Sequence, residues 1–307
     1  MNRHVLPAAD AAPAGDPALA AAAVITPSYA DDFERCRLLC DTMDRFVGGM
    51  SHHYILVEQR DVARFRELES SRRTVVDERD ILPKWLHAFD DPLSLFRKRI
   101  WLAWGAQPLR GWHVQQLRRI AIAAHVSQEV LVYCDSDVAF LKPFDLGVYR
   151  RGEKVRLFRR DDALLSRPRT HHDDWVRNSA AILGIPPGDI TNHDYVTTLI
   201  AWRRRTVVDM CEHIERVTGK HWVKAVGGTR KFSECTIYGR YVDEITGGAH
   251  HFHGAEEWCR VAWFGEEMSD ARFDQFVAGM TPEQVAICIQ SFIKVDVAHI
   301  RRIIDRR

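Results

Sequence analysis

The chain has 307 residues, 46% of them apolar and 28% charged, with a formal net charge of +1. That length allows one large α/β domain or one and a half ordinary ones, and the composition is that of a soluble globular protein. The balanced charge excludes a global basic field for nucleic acid, and no stretch approaches the ~18 apolar residues that a spanning helix needs.

Residues 1–22 are rich in Ala and Pro, contain Asp10 and Asp16, and lack a charged region followed by an apolar one. They read as a disordered tail and not as a signal peptide. Ala23–Ser28 predicts a first strand that runs into a loop. Asp31 or Asp32 can cap the next helix, whose inner face carries Phe33, Cys36, Leu39, Cys40, Met43 and Phe46. His53–Val57 predicts a second strand, Val62–Leu68 a short helix and Arg73–Asp77 a third strand. Such alternation predicts a parallel, doubly wound sheet. Residues 83–111, with several tryptophans, are less regular and predict an excursion across the sheet edge. Trp112–His125 then has Val114, Leu117, Ile120, Ala121 and Ala124 at helical spacing.

The segment that follows, Val130-Leu-Val-Tyr-Cys-Asp135-Ser-Asp137, carries the most information. Its unbroken apolar run predicts a strand buried on both faces. Side chains alternate along a strand, so Asp135 and Asp137 can point the same way at its carboxyl end. Open α/β sheets bind their ligands at that end. Two hard carboxylates there suit Mg²⁺ or Mn²⁺, ions that usually complete their shell with substrate phosphates. The chemistry implied is divalent-metal binding of a nucleotide diphosphate.

Val138–Leu141 reads as extended, and Pro143 ends it. Further on, the pattern predicts strands near Val155–Phe158 and Val196–Trp202, and helices over Asp173–Leu183, Thr206–Val217 and Ser233–Val242. Thr281-Pro-Glu-Gln opens with a capping-box pattern and predicts a helix that continues to about Ile304. The division expected is therefore a folded domain over 23–265 and a helical extension, 266–307, packed on it. Seven cysteines, an odd number without CxxC pairs, fit buried thiols in a reducing cytoplasmic compartment. A zinc site built from Cys36, Cys40, His52 and His53 is disfavoured.

Several of these segments together resemble the GT-A-fold glycosyltransferases, in a bacterial branch of that superfamily. The likeness runs from Val24 to about Trp263, through Thr26-Pro-Ser-Tyr29, Gly111-Trp-His-Val-Gln-Gln-Leu117, Cys134-Asp-Ser-Asp137 and Phe232-Ser-Glu-Cys-Thr-Ile-Tyr238. His251-Phe-His-Gly254 with Trp258 is similar to the late HFxG…W motif of glycogenin-like members. The lysine that usually precedes that tryptophan is absent, and Glu256 and Glu257 stand there instead.

The resemblance implies a GT-A-like, mostly parallel sheet flanked by helices, and a metal-dependent glycosyltransferase that uses a nucleotide-diphosphate sugar. A UDP-sugar is the favoured donor. It implies Mn²⁺ or Mg²⁺ held by Asp135, Asp137 and His251. Thr26, Pro27 and Tyr29 fall where such proteins hold base and ribose. Guanidinium groups pair with phosphate, but spacing does not choose among Gln115, Gln116, Arg118 and Arg119; Gln116 and Arg119 stand as the donor-site candidates. The resemblance also implies that Glu234 faces the acceptor and, in an inverting enzyme, takes the proton of its hydroxyl. Asp194 is the second candidate for an acid near the sugar.

Two other readings remain open at this level. A metal-dependent nucleotidyltransferase would use the same aspartates, although Thr26-Pro-Ser-Tyr29 lacks the glycine-rich loop expected of it. A non-catalytic nucleotide- or carbohydrate-binding protein would keep the fold alone. The basic C-terminal helix, with Arg301, Arg302, Arg306 and Arg307 beside Ile300, Ile303 and Ile304, reads as a cap on the domain in preference to a peripheral membrane contact.

Overall fold

A computed structural model of the chain describes residues 22–96, 98–166, 171–293 and 295–305. The tail expected over 1–22 lies outside the described residues except for Ala22, and Arg306 and Arg307 lie outside them too. The first elements are β1 (Ala22–Pro27), α1 (Phe33–Phe46), β2 (Val47–Gly48), β3 (Met50–Val57), α2 (Val62–Phe65), β4 (Arg73–Asp77) and α3 (Glu78–Ile81). Three short strands follow, β5 (His87–Asp90), β6 (Arg99–Leu102) and β7 (Leu109–Arg110), then α4 (Gly111–Ala121), β8 (Val130–Tyr133) and β9 (Val138–Phe140). Next come β10 (Phe144–Asp145), β11 (Arg150–Arg151), β12 (Lys154–Phe158), α5 (His171–Leu183), β13 (Ile200–Arg203), α6 (Arg204–Thr218), α7 (Trp222–Val226) and α8 (Glu234–Arg240). The last described elements are β14 (His251–Gly254), β15 (Cys259–Ala262), α9 (Asp270–Ala278), β16 (Ala286–Ile289) and α10 (Val297–Asp305).

The central sheet has the order β13-β8-β1-β3-β4. β1 pairs in parallel with β3 and β8, β3 pairs in parallel with β4, and β13 alone runs antiparallel, against β8. Ala23 and Ile25 of β1 pack with Leu131 and Tyr133 of β8 against Val114 and Leu117 of α4. Ala22 and Val24 face the other way, toward Leu39 and Met43 of α1. Both faces are covered, so these strands are apolar without alternation. The result is a mixed α/β fold with a parallel-rich central sheet flanked by helices. Among the described residues, no helix is long and apolar enough to cross a membrane.

Chain order makes β1 the pivot of the sheet. Successive strands first step outward through β3 and β4, then return to the opposite side of β1 as β8. The strand order reverses between β1 and β8, and the crevice beyond the carboxyl ends at such a reversal is where open α/β sheets take ligands. Ser28 and Tyr29 leave β1 at this crevice, and Cys134 and Asp135 leave β8.

Two parts of the chain differ from expectation. Residues 83–111 form an antiparallel sheet, β5-β6-β7, in place of an irregular excursion. The predicted helix over 281–304 is replaced by a turn, the strand β16 and only then α10. The capping letters are used, since Gln284 Oε1 accepts from the Thr281 N–H at 3.0 Å, but they close a turn. Beyond it, the apolar run Ala286–Ile289 is buried along its whole length as a strand parallel to β15 and antiparallel to β9. A short buried apolar run outweighs the cap because strand pairing buries both its faces. Residues 266–305 are thus part of the sheet structure and not a purely helical extension. Likewise, the strand expected over Val196–Trp202 begins only at Ile200.

The end of α10 is bound to the domain. Ile300 and Ile304 are buried in a cluster with Leu38, Phe273 and Ile289. Arg301 pairs with Asp41 at 2.7 Å, and Arg302 with Asp270 at 3.5 Å.

Arg240, fully buried at the end of α8, fixes that helix to its surroundings. It donates to the Val176 carbonyl at 2.6 Å, to the Asp189 carbonyl at 2.8 Å and to Glu244 Oε2 at 2.7 Å. Replacing it with Met leaves those acceptors without their donor, so Arg240→Met should cost about 3–5 kcal/mol. Urea unfolding checks this as a lowered midpoint with an unchanged slope.

Candidate functional site

The turn that joins β8 to β9 carries both aspartates of the Asp135-Ser-Asp137 motif. The Val138 N–H closes it on the Asp135 carbonyl at 3.2 Å. Asp135 accepts a close ion pair from Arg119, whose other Nη donates to Glu234 Oε1 at 2.6 Å. Arg119 comes from α4, Asp135 from the end of β8 and Glu234 from the first turn of α8. Gln116, one turn earlier on α4, accepts the Glu234 N–H at 3.0 Å. The Tyr133 hydroxyl donates to the Arg119 carbonyl at 3.0 Å. Four of the sequence-derived candidates (Gln116, Arg119, Asp135 and Glu234) therefore form one hydrogen-bonded cluster.

Asp137 lies beside them, and the Cys288 thiol of β16 donates to its Oδ1 at 3.2 Å. Burial, then the charges of Asp135 and Asp32, push its carboxyl up to about 7. Asp32 sits at the start of α1, where sequence suggests a cap, yet its side chain makes no capping bond. It accepts from the Ser136 hydroxyl at 3.3 Å instead. Burial pushes it up to about 6, with Asp31 and Asp135 adding to the rise and Arg35 and Ser136 opposing it. Sequence reasoning missed Asp32 and Cys288 as parts of this site. The first offered a signal, an acid just past the first strand, which looks the same as a helix cap.

The other candidates stand differently. Thr26 is fully buried, and its hydroxyl bonds to His53 Nε2 at 2.9 Å. Arg73 Nε donates to His53 Nδ1 at 3.0 Å, so His53 gives its own proton to Thr26. Pro27 ends β1 and is buried. Tyr29 is 45% exposed at the crevice, with its hydroxyl 3.5 Å from Ser291. Asp194, 2% exposed, uses one carboxylate oxygen on Arg160 at 2.7 Å and the other on the Val196 N–H at 3.0 Å.

His251 is committed to a structural latch. Its Nδ1–H donates to the Ala249 carbonyl at 2.6 Å, and its Nε2 accepts from the Tyr238 hydroxyl at 2.7 Å. That hydroxyl also accepts the Arg203 N–H at 2.8 Å, which joins β13, α8 and β14. Both ring nitrogens are engaged, so neither offers a lone pair to a metal in this arrangement. Among the described residues, no three His, Cys, Asp or Glu side chains are grouped to hold a metal ion. Trp258, of the late motif, uses its carbonyl to accept from Val285 and Ala286 at the head of β16. Glu256 pairs with Arg156 at 2.7 Å.

With this geometry in place, comparison with known proteins adds one finding. Residues 21–306 match the profile of a family of unknown function, DUF6492. The chain belongs to this family. No curated protein matches it. For this DUF6492 chain, then, the arrangement of side chains carries the functional argument. It presents acids at a strand-order reversal, around a largely enclosed arginine, with an exposed tyrosine at the rim.

Burial lowers His251 to about 4. A histidine depressed in the folded state holds fewer protons than in the unfolded chain between about pH 4 and 6.5. Its contribution to stability is present above pH 6.5 and is lost as pH falls through 4. Chemical denaturation across that range should show the wild type losing about 2 kcal/mol more than His251→Gln, which cannot titrate.

Proposed function

We propose that the chain is a metal-dependent glycosyltransferase of the GT-A type, taking a nucleotide-diphosphate sugar at the crevice between β1 and β8. The observation that supports the reading is the burial of Asp32 and Asp137 near Asp135 at that crevice: burial first, and neighbouring carboxylates second, raise the two acids to about 6 and about 7. Hard carboxylates that repel one another fit a divalent cation, and Mg²⁺ and Mn²⁺ are commonly bound by one or two carboxylates plus substrate phosphates. Asp135 and Asp137 would hold the ion, with Mn²⁺ or Mg²⁺ supplying neutralisation of the charge on a departing diphosphate.

The remaining roles belong to the chain itself. Tyr29, exposed where β1 ends, offers a ring on which a nucleotide base, uracil first among them, can stack. Arg119 fixes Asp135 and Glu234 relative to each other and keeps the carboxylates oriented. Gln116 holds the start of α8 through the Glu234 N–H. Glu234, nearly buried and paired with Arg119, can act on an acceptor hydroxyl only if that pairing loosens when substrates bind.

This same pairing favours a second reading, a binding protein that keeps the donor site without turnover. Glu234→Gln separates the two. In a transferase that uses Glu234 as base, sugar transfer falls by about 10²–10⁴-fold while nucleotide binding persists. In a binding protein, neither wild type nor variant turns over.

The primary test is melting of the purified protein with UDP, GDP or CMP, each with and without Mn²⁺. A ligand at a hundred times its dissociation constant adds about 2.7 kcal/mol, so binding is visible as a raised melting temperature. A shift with one diphosphate that requires the metal and disappears in Asp137→Ala is the expected result. No shift with any nucleotide would remove the reading.

Asp137 yields a further expectation with the opposite sign. Its folded-state carboxyl, at about 7, lies above the unfolded value, so stability fully present below about pH 4 is lost as pH rises toward 7. Asp137→Asn should therefore stabilise the metal-free protein at pH 8, by about 1–3 kcal/mol, while abolishing the Mn²⁺-dependent shift. Denaturation with a chelator present measures the first effect.

A further inference from the structure

The loudest surface feature outside the crevice is the arm formed by β5, β6 and β7. Its hairpin tip, residues 91–98, exposes Leu93 at 88%, Leu95 at 74% and Phe96 at 68%. Trp104, in the next loop, is 95% exposed. Leu93, Leu95 and Phe96, exposed together on one turn, mark a contact surface, whereas Trp104, beyond the opposite end of β6, stands apart from them.

The tip is built to hold them outward. Asp91, 1% exposed, is its hub: its carboxylate accepts the Leu93 N–H at 3.1 Å and a close ion pair from Arg110. The Asp91 carbonyl accepts from the Phe96 N–H at 3.0 Å and the Ser94 hydroxyl at 2.9 Å, and its N–H donates to the Lys98 carbonyl at 2.8 Å. Ser94 Oγ in turn accepts the Lys98 N–H at 2.9 Å. Leu95 and Phe96 adopt φ of 53° and 62°, a left-handed conformation that is costly for such residues in succession. Among the described residues, the N–H groups of Leu93, Ser94, Leu95, Phe96 and Lys98 are paired within the loop, while the side chains of Leu93, Leu95 and Phe96 stay mostly exposed.

Charge selects the occupant. Residues 83–111 carry five basic side chains and two acidic ones, a net +3, with Lys98 exposed beside the apolar tip. Of the acids, Asp91 is buried against Arg110, and Asp90 pairs with Arg99 at 3.0 Å. A second copy of the same arm would bring like charge against like charge. With Arg99 and Arg110 paired to Glu58 and Asp91, the exposed apolar tip keeps Lys98 beside it, which complements a lipid surface that carries negative charge.

We propose that this arm docks the protein on an anionic bilayer, with Leu93, Leu95 and Phe96 entering the interfacial layer and Lys98 among the headgroups. Lysine can reach the headgroups while its stem stays among apolar groups. The arm is anchored at the carboxyl ends of β3 and β4: Arg99 Nε donates to Glu58 at 2.7 Å just beyond β3, and Trp101 Nε1 donates to Glu78 at 3.0 Å just beyond β4. The inference does not rest on the transferase reading.

The experiment is co-sedimentation of the full chain with phosphatidylcholine vesicles and with vesicles containing about 30% phosphatidylglycerol. Binding should favour the anionic vesicles and weaken in ~0.5 M NaCl. The triple variant Leu93→Ser, Leu95→Ser, Phe96→Ser should bind about tenfold more weakly or worse, with an unchanged melting temperature because these side chains pack on nothing. Lys98→Glu, a milder change, should reduce binding to the anionic vesicles only. Failure of the wild type to sediment with either vesicle overturns the proposal, as does undiminished binding by the triple variant. A concentration-dependent dimer that the triple variant abolishes would overturn it too, assigning the tip to a second copy of the chain.

Discussion

Arg119 is the interaction on which the candidate site depends. A guanidinium buried to this degree must be paired, because removing a charge from water costs several kcal/mol unless hydrogen bonds replace the solvent. The partners come from separate elements, Asp135 at the end of a central strand and Glu234 at the head of α8. One side chain from α4 thus fixes three pieces of the fold relative to each other. The two Nη donors suit a fork between carboxylates in a way that a lysine ammonium would not. Gln116 adds a neutral bond along the same helix face, so α8 is held through both its side chain and its backbone.

The sheet brings the charges to that point. β8 leaves the central sheet after Tyr133, turns through Asp135 and Asp137, and re-enters a second sheet as β9, where β16 lies beside it. Because Cys288 sits opposite Val138, its thiol reaches Asp137 from the C-terminal part of the chain. Arg35 of α1 works from the other side, donating to the carbonyls of Ile289 and Ile293 at 2.7 and 3.0 Å. The crevice is therefore assembled from both ends of the sequence, and the C-terminal residues are part of its wall.

How much of this sequence reasoning could read depended on whether local pattern and tertiary partner agreed. The strands β1, β3, β4 and β8, and the helices α1, α4, α5 and α6, follow from apolar periodicity because each buries the face its pattern marks. β14, β15 and β16 are four residues each and pair with strands far away in the chain, so no local period announces them. At Thr281 the local signal and the tertiary outcome conflicted, and burial of Ala286–Ile289 decided. Asp32 was legible as an acid but not as a site residue, since capping and site roles favour the same residue at the same place. The motif around His251 was visible too; what sequence could not show is that Tyr238 and Ala249 already take both ring nitrogens.

The charge balance at the crevice connects these observations. Leaving aside the exposed Asp31, four acids meet there, Asp32, Asp135, Asp137 and Glu234, against two fixed cations, Arg35 and Arg119. With every acid ionised, two negative charges remain. Burial first, and neighbouring carboxylates second, raise Asp137 and Asp32, the two acids that make no ion pair with Arg119. A structural cluster would be expected to relax toward pairing or replacement, because mutually repelling buried carboxylates oppose folding. Local rules broken together at one place, at the reversal of strand order, are more than packing alone would select.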